Sequence, residues 1–111
     1  MSIFTKIINR EIPADIVFEN DRIIAIKDIA PQAPTHLLVI PKKEIPTLMD
    51  MQEEDQALLG EMMFVGQKLA KEAGHEPTGA RFTMNCKDFG GQEVYHIHLH
   101  VLAGRQMTKM G

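Results

Sequence analysis

The stretch His96-Ile97-His98-Leu99-His100-Val101 constrains the fold of this 111-residue chain more than any other. Polar and aliphatic residues alternate strictly across it. An extended strand turns successive side chains to opposite faces, so the three histidines share one face and Ile97, Leu99 and Val101 share the other. Neighbouring histidines then lie about 7 Å apart at Cα and the outer pair about 13 Å apart. The aliphatic face calls for a core, and the imidazole face is left to chemistry. A one-residue slip would exchange the faces, so the register is strongly specified.

The rest of the chain supplies the elements that such a strand needs. Ile3, Phe4, Ile7 and Ile8 have helical spacing behind a capping Ser2, which predicts a short N-terminal helix. Ile16 to Glu19 and Arg22 to Ile29 read as strands joined by the Asn20-Asp21 turn, a β-hairpin. His36 to Ile40 is almost wholly apolar, which predicts a central strand covered on both faces. Asp50 to Glu53 reads as a capping box opening a long helix from about Glu53 to Ala73. Leu58, Met62, Val65 and Leu69 mark its buried stripe, and Gly74 its stop. Ala80 to Cys86 is a fourth strand, Lys87 to Gly91 a turn, and Tyr95 to Ala103 the fifth strand. Helices and strands do not alternate as βαβ units. The expected fold is therefore α+β in one domain, residues 1–111: a five-stranded, mainly antiparallel sheet with one long and one short helix.

Composition narrows the function. A net charge of −3 gives no general attraction to nucleic acid or anionic membranes. The lone Cys86 cannot form an intrachain disulfide or a cysteine-based zinc site. No charged segment leads into an apolar run at the N-terminus, so an intracellular, cytoplasmic protein is expected.

Three functions suit three histidines on one face. One is a metal site with an open position, although one flat strand splays the rings over a long span for a single ion. Another is a structural or pH-sensing surface. The third is nucleophilic catalysis at phosphorus, with one neutral imidazole attacking and its neighbours orienting it and donating to phosphate oxygens. Gly90-Gly91, just upstream, suits the third, because glycines let a backbone approach an anion closely.

The run His-φ-His-φ-His-φ-φ behind Gly90-Gly91-Gln92 resembles the signature of the histidine triad (HIT) superfamily. Ser2-Ile3-Phe4 through Arg10-Glu11-Ile12-Pro13, Asp28-Ile29-Ala30-Pro31-Gln32-Ala33-Pro34-Thr35-His36, and Gly104-Arg105-Gln106-Met107 resemble its Hint branch. The likeness covers essentially the whole chain. The third triad position is His100, where the galactose-1-phosphate uridylyltransferase branch has glutamine, so the resemblance implies a hydrolase. It implies that His98 attacks the α-phosphorus of a purine nucleoside 5′-phosphoramidate and carries the nucleotidyl group until water releases it. His100 would contact the phosphate and the leaving group, while His96 and His36 support the cluster. Asp28 would hold the ribose hydroxyls. Ile3, Phe4, Ile26 and Ile29 would line the base pocket, and Asn85 with Gly91, Gln92 and Glu93 would surround phosphate and ribose. No metal or other cofactor is implied. The resemblance also implies a homodimer through the long helix and the fifth strand.

Two positions depart from the pattern. Glu93 stands where several relatives have a hydroxyl residue, so any donation to phosphate there falls to its N–H. The tail from Met107 to Gly111 has no tryptophan, which leaves the leaving-group preference open. A dinucleoside polyphosphate hydrolase of the Fhit type would use the same nucleophile. A nucleotide-binding regulatory protein and a zinc-binding protein are the alternatives from other classes.

Overall fold

The structure is a computed structural model that describes all residues from Met1 to Gly111. The elements are α1 (Ile3–Ile8), β1 (Ile16–Glu19), β2 (Ile23–Lys27), β3 (Thr35–Pro41), α2 (Gln56–Glu72), β4 (Ala80–Thr83), α3 (Lys87–Gly90) and β5 (Leu99–Ala103). The strands form one sheet in the order β1-β2-β3-β5-β4, with every neighbouring pair antiparallel. The expected α+β class and five-stranded sheet are both present.

Local chemistry explains the boundaries. Ser2 caps α1 by accepting from the Thr5 N–H. The Asn20 side chain accepts from the backbone N–H of Arg22 and Ile23, which closes the β1–β2 hairpin. The expected Asp50–Glu53 capping box does not form. Thr47 pairs with Asp50 and Gln52 with Asp55, each box capping a short 3-10 turn, and α2 begins only at Gln56. Lys87 to Gly90 forms one helical turn where a simple turn was expected, and β4 stops at Thr83, short of Cys86.

Each face of the sheet has its own cover. On one face, α2 lays Met62, Val65 and Leu69 over Ile23, Ala25, Leu37, Val39, Ile97, Leu99 and Val101. Gly66 permits this approach, since a Cβ there would sit 3.0 Å from Leu99 Cδ2 and 3.1 Å from Val101 Cγ2. On the other face, Phe4 and Ile7 of α1 cover Ile24, Ile26, Leu38 and Ile40. β2 and β3 therefore bury both of their faces, as the apolar run at His36 to Ile40 predicted. The two covers differ in size. α2 has 17 residues and α1 only six, so α1 leaves part of its face open as a cavity.

Two expectations about the last strand are corrected. β5 begins at Leu99, so His96 and His98 precede the ladder. On the partner strand, Val39 faces Leu99 and the ladder continues no further. Pro41 has no N–H to offer a neighbour. The chain leaves the strand path there, and the Ile97 N–H donates to the Ile45 carbonyl at 2.8 Å. β5 also lies between β3 and β4, so it has no free edge for a second subunit; the free edge on that side belongs to β4.

Candidate active site

The open part of the α1 face is a cavity of about 750 Å³. Ile3, Phe4 and Ile7 of α1 form one wall. Ile26, Asp28 and Ile29, at and beyond the end of β2, form another. His36 and Leu38 come from β3, and His98 and His100 from the start of β5. Asn85, Gly91, Glu93 and Val94 close the far side. Nearly all the residues expected at the site meet here. Ile29 stands at the rim, 97% exposed.

Two expected residues do not line the cavity. His96 is fully buried beside it, with its ring edge-on to Phe4. The alternating pattern placed three rings at one opening; the bend at His96 instead tucks the first ring into the protein. Gln92 is also buried. Its side-chain N–H groups donate to the Pro46 and Val94 carbonyls, its side-chain oxygen accepts from the Lys87 N–H, and its own N–H donates to the Lys87 carbonyl. With its side chain and N–H committed, Gln92 holds the loop. Gly91 is glycine for its turn (φ +78°), and its N–H is taken by the Asp88 carbonyl. The Glu93 N–H and the Asn85 side chain have no partner within the chain, so both are free to meet a ligand.

The hydrogen bonds fix where each imidazole carries its proton. His98 Nδ1 lies 2.8 Å from the His96 carbonyl, which can only accept. Nδ1 therefore bears the hydrogen, and neutral His98 keeps a lone pair on Nε2. The backbone N–H of Gln32 donates to His36 Nδ1 at 3.0 Å, so the His36 proton sits on Nε2. That N–H donates to His100 Nδ1 at 2.9 Å. Neutral His100 then carries its own hydrogen on Nε2. The result is one ring with a lone pair and one with a donor, 5.0 Å apart at their centroids.

Burial keeps these rings neutral. Desolvation lowers the pKa of His98, outweighing the His96 carbonyl and the charges of Asp28 and Glu93. His100 is lowered to about 4, first by burial and then by His98 and His36. His36 and His96 are lowered by burial as well, with Asp28 opposing at His36 and the Pro41 carbonyl and Glu44 opposing at His96.

One constellation escaped the sequence reading. Asp28, His36 and His100, from three different segments, each bring a donor atom within 4.8 Å of the others. One flat strand splays its histidines too far for a single ion, but donors from three segments converge here. Two histidines and a carboxylate are a reasonable ligand set for a divalent metal. These atoms are already engaged with one another, however: His36 Nε2 lies 3.3 Å from Asp28 Oδ2 and donates to His100. Leu38 was also missed, yet it lies two residues after His36 on β3 and so shares its face.

The family model "HIT domain" matches residues 9–107. The chain belongs to the HIT domain family. This HIT protein is 50% identical over 109 residues to the purine nucleoside phosphoramidase of Escherichia coli K12, covering 98% of this chain and 92% of that one. A HIT family hydrolase from Legionella pneumophila superposes with a TM-score of 0.95 at 52% identity, covering 97% of this chain and 96% of the other. A histidine triad protein from Clostridium difficile gives 0.93 at 43% identity, covering 98% and 95%.

Proposed function

We propose that this HIT protein is a hydrolase that cleaves the P–N bond of purine nucleoside 5′-phosphoramidates through a covalent nucleotidyl-His98 intermediate. The observation that carries the reading is the His98 ring, which lines the cavity and is pinned through Nδ1–H to the His96 carbonyl, so that its Nε2 keeps the lone pair. The 50%-identical relative named purine nucleoside phosphoramidase supports the choice of bond.

The nucleotide has a natural place in the cavity. The purine lies between Ile3, Phe4, Ile26 and Ile29. The ribose hydroxyls donate to Asp28, whose Oδ1 already accepts from the Ala30 N–H and is held still by it. The phosphate meets the Glu93 N–H, the Asn85 amide and the Nε2–H of His100.

In the first step, the His98 Nε2 lone pair forms a bond to phosphorus, and the P–N bond to the amine breaks. The departing nitrogen keeps that electron pair and takes up one proton. In the second step, water attacks phosphorus, the P–His98 bond breaks, and the pair returns to Nε2. The water gives one proton back, so the cycle is proton-neutral. The Nε2–H of neutral His100 donates to a phosphate oxygen; the proton that the departing nitrogen takes up comes from solvent, and the attacking water restores it. A neutral His98 suits the attack, because a protonated ring has no lone pair.

The same proposal takes residues 1–111 as one domain, working in the cytoplasm as a homodimer without a metal. The outward side of α2 supports the dimer. Met63 is 45% and Phe64 65% exposed there, and β4 has a free edge in the same sheet. A monomer in sedimentation equilibrium would contradict it.

The test of function is steady-state hydrolysis of adenosine 5′-phosphoramidate beside diadenosine polyphosphate, with and without EDTA. Fast phosphoramidate cleavage that ignores EDTA is expected. Preference for the dinucleotide would move the protein to the Fhit-type reaction. Loss of turnover with EDTA would contradict the metal-free reading.

A further inference from the structure

The buried His96 is held by a polar cluster that the proposed reaction does not use. Its Nε2 lies 2.7 Å from the Pro41 carbonyl, an acceptor only, so Nε2 bears the hydrogen. Its Nδ1 is then an acceptor, 2.7 Å from the Ser2 hydroxyl. The Ser2 oxygen accepts in turn from the Thr5 N–H at 3.0 Å. Ser2 has one hydroxyl hydrogen and two neighbours for it, His96 Nδ1 at 2.7 Å and Thr5 Oγ1 at 3.3 Å. The shorter contact and the lone pair on Nδ1 decide for His96. The Thr5 hydroxyl instead donates to the Glu44 carboxylate, in a short hydrogen bond. Glu44 also accepts from the Ser2 N–H at 3.0 Å.

These bonds run in one direction. Glu44 gathers Ser2 and Thr5, Ser2 orients His96, and the His96 carbonyl holds the Nδ1 hydrogen of His98. The cluster joins three separate segments: the start of α1, the loop after β3, and the bend before β5.

We propose that Ser2 and Glu44 are positioning residues, which fix the His96 ring and backbone so that His98 presents its Nε2 lone pair to the cavity. The kinetic part of this inference rests on the proposed phosphoryl chemistry; the tautomer part does not. Ser2 also caps α1 and Phe4 packs on both rings, so removing Ser2 has a structural consequence that must be separated.

Ser2→Gly makes that separation. Glycine is tolerated at a helix N-cap but has no hydroxyl to offer Nδ1. It keeps α1 and breaks the relay. Ser2→Thr keeps both and serves as the rescue. Glu44→Gln keeps the shape and loses the charge.

The experiment pairs kinetics with ¹⁵N NMR of the histidine rings in the full chain. Wild type and Ser2→Thr should show His98 as the Nδ1–H tautomer and similar kcat. Ser2→Gly should show a changed His96 signal, a mixed His98 tautomer and kcat lower by about tenfold, the effect of one lost hydrogen bond, with KM changed little. Glu44→Gln should move both readouts in the same direction by a smaller amount. An unchanged His98 tautomer in Ser2→Gly, with or without a fall in kcat, would overturn the proposal and leave the cluster a structural fastening. If wild type cleaves no phosphoramidate, the proposed function fails, and the NMR readout still decides the relay.

Discussion

The two faces of the sheet are made from the same strands but put to different uses. On β3, Leu37 and Val39 face α2, while His36 and Leu38 face α1. At β5, Leu99 and Val101 join the α2 face, while His98 and His100 line the cavity. The α2 face is closed by a 17-residue helix over an apolar core. The α1 face is half closed by a six-residue helix and keeps its histidines at the open half. Neighbouring residues in sequence therefore have separable roles. A change on the α2 face should cost stability, and a change on the α1 face should cost chemistry.

The sharpest break in that comparison is His98→Ala. It should lower phosphoramidate hydrolysis by roughly a thousandfold or more, because the group that forms the intermediate is gone. AMP affinity, read by calorimetry, should stay within a few-fold of wild type. A variant that turns over near the wild-type rate would remove His98 from the nucleophile's role.

One residue further on, Leu99→Ala should do the opposite. Leu99 is 1% exposed beneath α2, so truncation should cost on the order of 3 kcal/mol of unfolding free energy by urea titration. Activity per folded molecule should hold. A stable but inactive Leu99→Ala protein would show that the faces are coupled.

Acid should act through the α1 face. His100 has a folded pKa of about 4 against an unfolded value near 6.5, so the unfolded chain binds its proton first. Stability from this ring is complete above about pH 6.5, falls as pH drops toward about 4, and levels off below. The loss is on the order of 2–3 kcal/mol, trimmed by the partial exposure of the ring. Urea titrations across that window should show the slope in wild type and a shallower one in His100→Asn. Equal slopes in both would mean that His100 is not held neutral by the fold.

The smallest effect concerns Asp28→Ala. Ribonucleotides should bind about tenfold more weakly, while 2′,3′-dideoxy analogues should change little, because only the former donate to the carboxylate. Equal weakening would take Asp28 away from the ribose.

The division between faces could be read in the sequence because period-two alternation is a property of local backbone geometry. Ile97, Leu99 and Val101 are buried, as that pattern required, even though the strand begins only at Leu99. The bend at His96 could not be read, because it depends on Pro41 and Ile45, some fifty positions away, which end the ladder and receive the chain. For the same reason, Gln92 looked like a ligand when its partners are the carbonyls of Pro46 and Val94. His36 was recruited by resemblance alone; only the β3–β5 pairing brings it to His100. The convergence of Asp28 with both of them needs three strands in register, which no single window of sequence contains.

The most direct test of the account is rapid-quench mass spectrometry of the intact protein mixed with excess adenosine 5′-phosphoramidate, followed by peptide mapping. The account predicts a transient acid-labile adenylyl adduct on His98, formed and lost at rates consistent with kcat. Turnover with the adduct on another residue would contradict it. So would turnover in which a single displacement inverts the configuration at a chiral phosphorus and no adduct forms.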